Sequence, residues 1–104
     1  ESFIQMAGGR INLVHIKDLN LDLGRKMVRH EVDFDTAIAQ RVFVPLGEGD
    51  LDLSAIIPLL PKSVWWVLEQ DQAIDRVPDA GLGPVNDAAA SLDILQGLLG
   101  SING

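Results

Sequence analysis

The sequence lacks cysteine, and this absence excludes two kinds of site. None of the 104 residues is Cys, so the chain can form neither a disulfide framework nor a metal site with thiolate ligands. A chain without thiols is compatible with a reducing compartment, and we expect a cytoplasmic protein.

Positive charge is also scarce. Lys and Arg number 8 against 15 Asp and Glu, which gives a formal net charge of −7. Nucleic-acid backbones are bound by clustered Lys and Arg. The one basic cluster, residues 25–30, is followed at once by Glu31, Asp33 and Asp35. We therefore expect this cluster to be a solvated loop or helix face, and no nucleic-acid partner.

Long hydrophobic runs are missing as well. The longest apolar stretch, residues 53–68, is interrupted by Pro58, Pro61 and Lys62, so it is too short and too broken to span a bilayer core of about 30 Å. Hydrophobic residues nevertheless make up 47% of the chain, enough for a packed core. These features predict one soluble domain, residues 1–104, with no membrane partner.

Two short apolar segments, residues 11–17 and 63–69, predict strands that are buried on both faces, as in a parallel sheet. Helical patterns flank and separate them. The first predicted helix is a helix tail at 1–7, stopped by Gly8 and Gly9, and the second is 35–41, with Asp33 or Asp35 near its start. The third is 51–60, which Asp52 or Ser54 caps and Pro58 weakens. The fourth is 84–99, which Asn86 or Asp87 caps and Gly100 ends. Residues 18–33 and 70–83 are predicted loops, with an extended piece at 42–45 and a turn at 47–49.

This alternation of strands and helices is typical of a parallel α/β fold. Two strands cannot close a sheet or bury both of its faces. The chain also opens inside the tail of a helix. We therefore expect either association with further copies of the chain, as a homo-oligomer, or the remainder of a longer barrel.

His15 and Glu69 each lie near the carboxyl end of a predicted strand. Side chains alternate faces along a strand, and a right-handed crossover places two such strands parallel, often as neighbours about 4.8 Å apart. The two side chains can then converge as ligands of Mn²⁺, Zn²⁺, Co²⁺ or Mg²⁺. Two ligands do not complete a catalytic site. The alternative is a His15 bonded to a loop carbonyl, with Glu69 ion-paired to Lys17.

Three segments carry a resemblance to a known family: LVHIKD (13–18), VPLGEGDLD (44–52) and WWVLEQD (65–71). In this order they resemble the xylose isomerase-like TIM barrels. The resemblance implies the C-terminal part of a (β/α)8 barrel, about its last two βα units, with 11–17 similar to the seventh strand and 64–69 to the eighth. It implies that His15 and Glu69 bind a divalent metal ion and that Glu69 assists catalysis. The remaining ligands would come from earlier strands, so the site is incomplete in this chain.

Further residues are candidates for substrate contacts. Lys17 and Asp18 are placed to bind substrate hydroxyls or a phosphate, to orient His15, or to form an ion pair at the strand end. Glu48 lies in the Gly-Glu-Gly turn, and Arg41 is a candidate for a substrate oxygen or a surface role. Three more expectations concern the surroundings: His30 is solvent-exposed, Trp65 and Trp66 point to opposite faces, and Asp71 neutralises Lys17 or remains in a loop.

By this resemblance the function is a metal-dependent isomerase or epimerase of a sugar, sugar phosphate or inosose, which transfers a proton through a metal-stabilised enediolate. Three alternatives are considered. An inosose-type dehydratase would use the same site, and residues 34–44 resemble that branch. A DNA-repair endonuclease of the same fold needs His and Asp ligands before the Leu-Gly-Glu-Gly segment, where residues 41–45 have none. The last is an inactive truncated fragment that oligomerises.

Overall fold

The chain adopts a mixed α/β fold in the computed structural model, which describes residues 2–103, with side chains to residue 101. Its helices and strands, in chain order, are α1 (Ser2–Ala7), β1 (Leu13–Ile16), β2 (Asp18–Leu19), α2 (Leu21–Val28), α3 (Phe34–Ala39), β3 (Phe43–Val44), α4 (Leu53–Ile56), β4 (Trp65–Leu68) and α5 (Pro84–Asn103). Two 3₁₀ turns follow α1 and α4, at Gly8–Arg10 and Ile57–Leu59.

Strands β1 and β4 pair in parallel, as the sequence predicts. The register places Leu13 beside Trp65 and His15 beside Val67. A separate antiparallel pair joins β2 to β3, with Asp18 beside Val44. The parallel pair therefore brings together the two apolar segments predicted as strands, although all of β2, α2, α3, β3 and α4 lies between them in the chain.

One face of the parallel pair is covered and the other is open. Ile16 and Trp66 pack into the apolar core with α5 and the α4 region. The buried core residues are Ile16, Leu46, Leu53, Ile57 and Leu95. On the opposite face Leu13 is 51% exposed and Trp65 is 77% exposed. Trp65 and Trp66 thus lie on opposite faces, and the open face carries His15 and Glu69.

The predicted loop at residues 18–33 is wrong for most of residues 18–28. Residues 18–19 form β2, and α2 follows because the Asn20 side chain accepts a hydrogen bond from the Leu23 amide, a standard N-cap. Leu23 and Met27, four residues apart, are half-buried on one side of this helix. The basic cluster at 25–30 lies at its exposed end, and His30 is exposed as expected.

Other helix boundaries also differ from the predictions. Helix α5 begins at Pro84, so Asn86 and Asp87 lie in its first turn rather than capping it, and it continues through Gly100 to Asn103. A helix interior tolerates a glycine at a modest cost. The predicted helix at 51–60 shortens to one α turn, Leu53–Ile56, because the residues around Pro58 form the 3₁₀ helix Ile57–Leu59.

The predicted capping and stop signals are confirmed at three helices. Asp33 caps α3 by accepting from the Thr36 amide, and Asp52 caps α4 by accepting from the Ala55 amide. Helix α1 ends where Gly8 takes a φ of +51°. None of the helices within residues 2–103 combines the length and the apolar character needed to cross a membrane.

Candidate active site at the carboxyl ends of the paired strands

His15 and Glu69 meet at the open face of the parallel pair. Glu69 directly follows β4, and its amide donates to the carbonyl of Ile16 at 3.1 Å, which extends the pairing by one residue. The Nδ1 atom of His15 is hydrogen-bonded to Oε1 of Glu69. The predicted convergence is therefore confirmed, although the residues lie 54 positions apart in the chain. Whether they bind a metal stays a prediction.

The contact with Glu69 determines which nitrogen of the His15 imidazole carries a proton. An ionised carboxylate can only accept hydrogen bonds, so His15 donates its Nδ1 proton to Glu69. Metal binding through Nδ1 would require this proton to leave, since metal ligands bind in their deprotonated form. The His15 side chain is 52% exposed and that of Glu69 is 31% exposed, so both are within reach of solvent and small ligands.

Lys17 connects Glu69 to a second carboxylate. Its Nζ atom lies 2.7 Å from Oε2 of Glu69 and 2.7 Å from Oδ2 of Asp71. The same ammonium lies 4.3 Å from the centroid of the Phe43 ring, within the range of a cation–π contact. The ion pair of Lys17 with Glu69, which belongs to the alternative without a metal, is thus present, and so is the contact of Lys17 with Asp71. His15 bonds to Glu69 and not to the loop carbonyl of that alternative. His15, Glu69, Lys17 and Asp71 form a continuous chain of polar contacts, named here the strand-end cluster.

The strand-end cluster holds Glu69 in its charged form. Hydrogen bonds from Lys17 and then from His15 lower the pKa of Glu69 below its usual range. Partial burial opposes the charge of Lys17, but its hydrogen bonds to Asp71 and Glu69 prevail and raise the pKa of Lys17. At neutral pH Glu69 is therefore a carboxylate, the form that accepts hydrogen bonds and coordinates cations.

Asp18 is fully buried and organises the neighbouring loop. Its Oδ1 atom accepts from the amides of Leu19 at 2.9 Å and Leu51 at 3.2 Å. Its Oδ2 atom accepts from the amides of Gly47 at 2.9 Å and Gly49 at 3.1 Å. Four amide donors satisfy most of the acceptor capacity of the carboxylate. The structure thus gives Asp18 a role in shaping the 47–51 loop, and its predicted substrate contact has no support in this geometry.

Glu48 and the two glycines around it form the turn that Asp18 holds. Gly47 has a φ of +88°, which favours glycine. A Cβ on Gly49 would lie 2.2 Å from Oδ1 of Asp18, so a side chain there would collide with the carboxylate. Glu48 is exposed at the tip. The predicted turn is confirmed, and the substrate contact of Glu48 stays a prediction.

Arg41 lies at the edge of a cleft whose lining includes none of the four residues of the strand-end cluster. Its Nη2 atom is 3.6 Å from Oδ2 of Asp87 in the first turn of α5. The cleft has a volume of about 220 Å³ and is lined by Arg41, Asp87 and the loop that begins with Gln72, the residue after Asp71. Gln72 and Asp87 were not singled out from the sequence as ligand contacts, because each lies among polar residues typical of a loop or helix end.

No family model, curated protein or solved structure matches this chain. The assignment of a function therefore depends on the geometry of the strand-end cluster, together with the resemblance of the three segments.

The donor types fit a divalent ion, but their number does not complete a site. His15 and Glu69 offer one imidazole nitrogen and one carboxylate, which suit Mn²⁺, Co²⁺ or Zn²⁺. No group of three or more His, Asp or Glu side chains able to hold a metal occurs within the part of the chain that the structure describes. Catalytic metals usually take three protein ligands. The strand-end cluster is therefore suited to contribute part of a metal site.

Proposed function

We propose that this chain forms the last two strand–helix units of a xylose isomerase-like barrel and contributes His15 and Glu69 to its divalent-metal site. One observation supports this most: the parallel pairing of β1 with β4 brings both side chains to the carboxyl ends of the strands. In α/β barrels the active site lies at that end. The proposed activity is isomerisation or epimerisation of a sugar, sugar phosphate or inosose, with dehydration as the alternative at the same site.

The open face of the parallel pair supports a larger assembly. Leu13 and Trp65 are largely exposed there, although both belong to apolar strands typical of a buried sheet. The inward face of a barrel strand is normally covered by side chains of other strands. Further strands, whether from a longer chain or from another polypeptide, would cover these residues and supply the missing metal ligands.

The residues of this chain would have distinct roles in such a site. His15 and Glu69 would hold the ion, which when bound supplies a Lewis acid that polarises a substrate carbonyl. Lys17 fixes Oε2 of Glu69 and leaves Oε1 directed to His15. Asp71 holds Lys17 from the other side. Lys17 and Asp71 therefore position Glu69, and one of the three Lys17 donors remains for a substrate hydroxyl.

Manganese titration of the 104-residue chain tests this proposal. Paramagnetic Mn²⁺ broadens the NMR signals of nearby amides even when binding is weak. We expect the earliest broadening at residues 14–16 and 67–70. His15→Ala should abolish that local broadening. His30→Ala is the matched control, because it removes an exposed histidine that follows α2, and it should leave the broadening intact. If the broadening is unchanged in His15→Ala, or if it begins at other acidic residues, the proposed metal site is refuted.

A second candidate is a chain without activity of its own that associates with further copies. The incomplete donor set and the exposed Trp65 favour it, because uncovered apolar faces promote association. Sedimentation and acrylamide quenching of a Trp66→Phe variant separate the two candidates. Self-association shields Trp65 as concentration rises, whereas a part of a longer barrel leaves Trp65 accessible until its missing strands are added.

A further inference from the structure

The open face of the parallel pair carries two metal-ligand candidates beside an uncovered apolar surface. His15 and Glu69 supply one imidazole and one carboxylate there, and the part of the chain that the structure describes contains no group of three side chains able to hold a metal. Leu13 and Trp65 lie on the same face and are 51% and 77% exposed. A complete site therefore needs donors from outside the described residues, and they can approach from the side that leaves Leu13 and Trp65 uncovered.

A second copy of the chain can supply these donors. Two copies related by a two-fold axis present the same surface to each other, and an axis along the strands brings both sets of carboxyl ends to one end of the dimer. Sheets that pack face to face lie about 10 Å apart, so an ion midway is about 5 Å from each sheet, within reach of both side chains. The two copies of His15 and Glu69 then give two imidazoles and two carboxylates, the four ligands of a tetrahedral Zn²⁺ site.

The charge of the strand-end cluster favours a divalent cation between the two copies. Lys17 carries one positive charge beside the two carboxylates of Glu69 and Asp71, and a metal-bound His15 is neutral. Each copy therefore contributes a net charge of −1, which one divalent ion balances for two copies. Without an ion the two clusters repel each other, and so do two chains that each have a formal net charge of −7.

The apolar contact supplies little of the area that a stable dimer needs. Strands β1 and β4 have four residues each, so the paired face is about 13 Å long and about 10 Å wide. A standard interface buries about 800 Å² on each partner, several times more than this face offers. Association across the open face should therefore depend on the ion.

We propose that the chain forms a cation-dependent dimer, in which two copies meet across their open faces and share one divalent cation such as Zn²⁺ between their His15 and Glu69 side chains. The choice of these ligands rests on the proposed function, and the second copy takes the place of the remaining barrel strands. Because protein side chains fill all four positions of a tetrahedral ion, the shared site has no position for a substrate. The dimer is therefore a closed form of the site.

Sedimentation velocity of the 104-residue chain with Zn²⁺, with Mg²⁺ and with EDTA tests the dimer. We expect the mass to double from 11.3 kDa with Zn²⁺ only, because Mg²⁺ prefers oxygen ligands in an octahedron. Equilibrium dialysis should give one zinc ion for two chains. In a Trp66→Phe variant, Zn²⁺ should protect Trp65 from quenching by acrylamide. A dimer in EDTA, or saturation of a monomer at one zinc ion per chain, overturns the proposal.

Two matched pairs of variants locate the interface. His15→Ala should abolish zinc-dependent dimerisation, whereas His30→Ala, at an exposed histidine, should not. Trp65→Lys places two like charges against each other across the two-fold axis and should weaken the dimer at least about tenfold. Val28→Lys, at a position that is also 77% exposed, should leave it unchanged. Equal association within either pair overturns the shared site.

The outcome can be separated from that of the manganese titration. His15-dependent metal binding by a chain that stays monomeric overturns the shared ion and leaves the proposed ligands intact. Metal binding that is the same in His15→Ala and in the unmodified chain refutes both the shared ion and the proposed metal site.

Discussion

Gly49 lies directly against the carboxylate of Asp18: a Cβ on Gly49 would be 2.2 Å from Oδ1 of Asp18 and 2.7 Å from the carbonyl oxygen of Leu19. Its amide also donates to Oδ2 of Asp18 at 3.1 Å. Neither contact atom can move aside easily, because the Asp18 side chain is fully buried and the Leu19 oxygen belongs to the backbone. A side chain at position 49 therefore has no space, and the Gly-Glu-Gly turn depends on this glycine.

Gly49→Ala should lower the free energy of unfolding by about 2 kcal/mol, a typical cost of overpacking. The reason is the collision with Asp18 and Leu19. Gly97→Ala is the control, since a Cβ there meets nothing within 4 Å and lies inside α5. It should raise stability by about 0.5–1 kcal/mol. Urea unfolding followed by circular dichroism measures both, and equal effects would contradict the close contact.

Asp18→Asn should destabilise the chain strongly. The amide group can accept with one oxygen only and would direct its NH₂ group at two backbone donors. We expect a loss of about 3 kcal/mol, the scale of breaking a buried charged network. Chemical denaturation measures this loss. Unchanged stability combined with weaker ligand binding would instead restore the substrate role that the sequence suggests for Asp18.

Acid should weaken the caps of α3 and α4. Hydrogen bonds from Thr36 lower the pKa of Asp33, and those from Ser54 and Ala55 lower the pKa of Asp52. A carboxyl group whose pKa is lowered by folding stabilises the protein above its unfolded pKa of about 3.9, and this stabilisation is lost as pH falls through the folded value.

The variant Asp33→Asn with Asp52→Asn removes the two titrating groups but retains good N-caps. The melting temperature of the parent chain should therefore fall more steeply below about pH 4 than that of the double variant. Thermal melts between neutral and strongly acidic pH provide the comparison. Parallel curves for the two proteins would show that these caps do not contribute to acid unfolding.

His30→Gly should stabilise the chain by about 1 kcal/mol. His30 follows α2 with a φ of +59°, and its amide and that of Glu31 bond back to Met27 and Lys26, the pattern of a Schellman motif that glycine favours. Arg41 holds the same position after α3, with a φ of +62°.

Arg41→Gly relieves the same backbone strain but also loses the ion pair with Asp87. Its gain in melting temperature should therefore be smaller than that of His30→Gly. An equal gain would indicate that the contact of Arg41 with Asp87 adds nothing to stability, whatever Arg41 contributes to a ligand.

The sequence predicts the parallel strands well because their signal is local and apolar. Residues 11–17 and 63–69 contain β1 and β4, and the faces of Trp65 and Trp66 follow from alternation. Helix α2 was missed because it is only eight residues long, includes Gly24 and mixes apolar with charged side chains, although Asn20 is a capping residue. Propensity is a weak prior for so short a segment, because tertiary context overrides it.

One part of the candidate site follows from the sequence and another part does not. The meeting of His15 with Glu69 follows from strand-end positions and parallel pairing. The burial of Asp18 does not, because it depends on a turn 29 to 33 residues later that directs three amides at one carboxylate. The cleft of Gln72 and Asp87 also requires a loop conformation that no local pattern specifies.

The distance along the chain between the two paired strands has a kinetic consequence. Chain segments so remote in sequence can join only after a large loop closes, and such closure slows folding. The imidazole and carboxylate of the strand-end cluster are therefore assembled by the final collapse of the whole chain rather than by any local hairpin. Their contact would serve as a reporter of complete folding, arriving later than the helices in a time-resolved experiment.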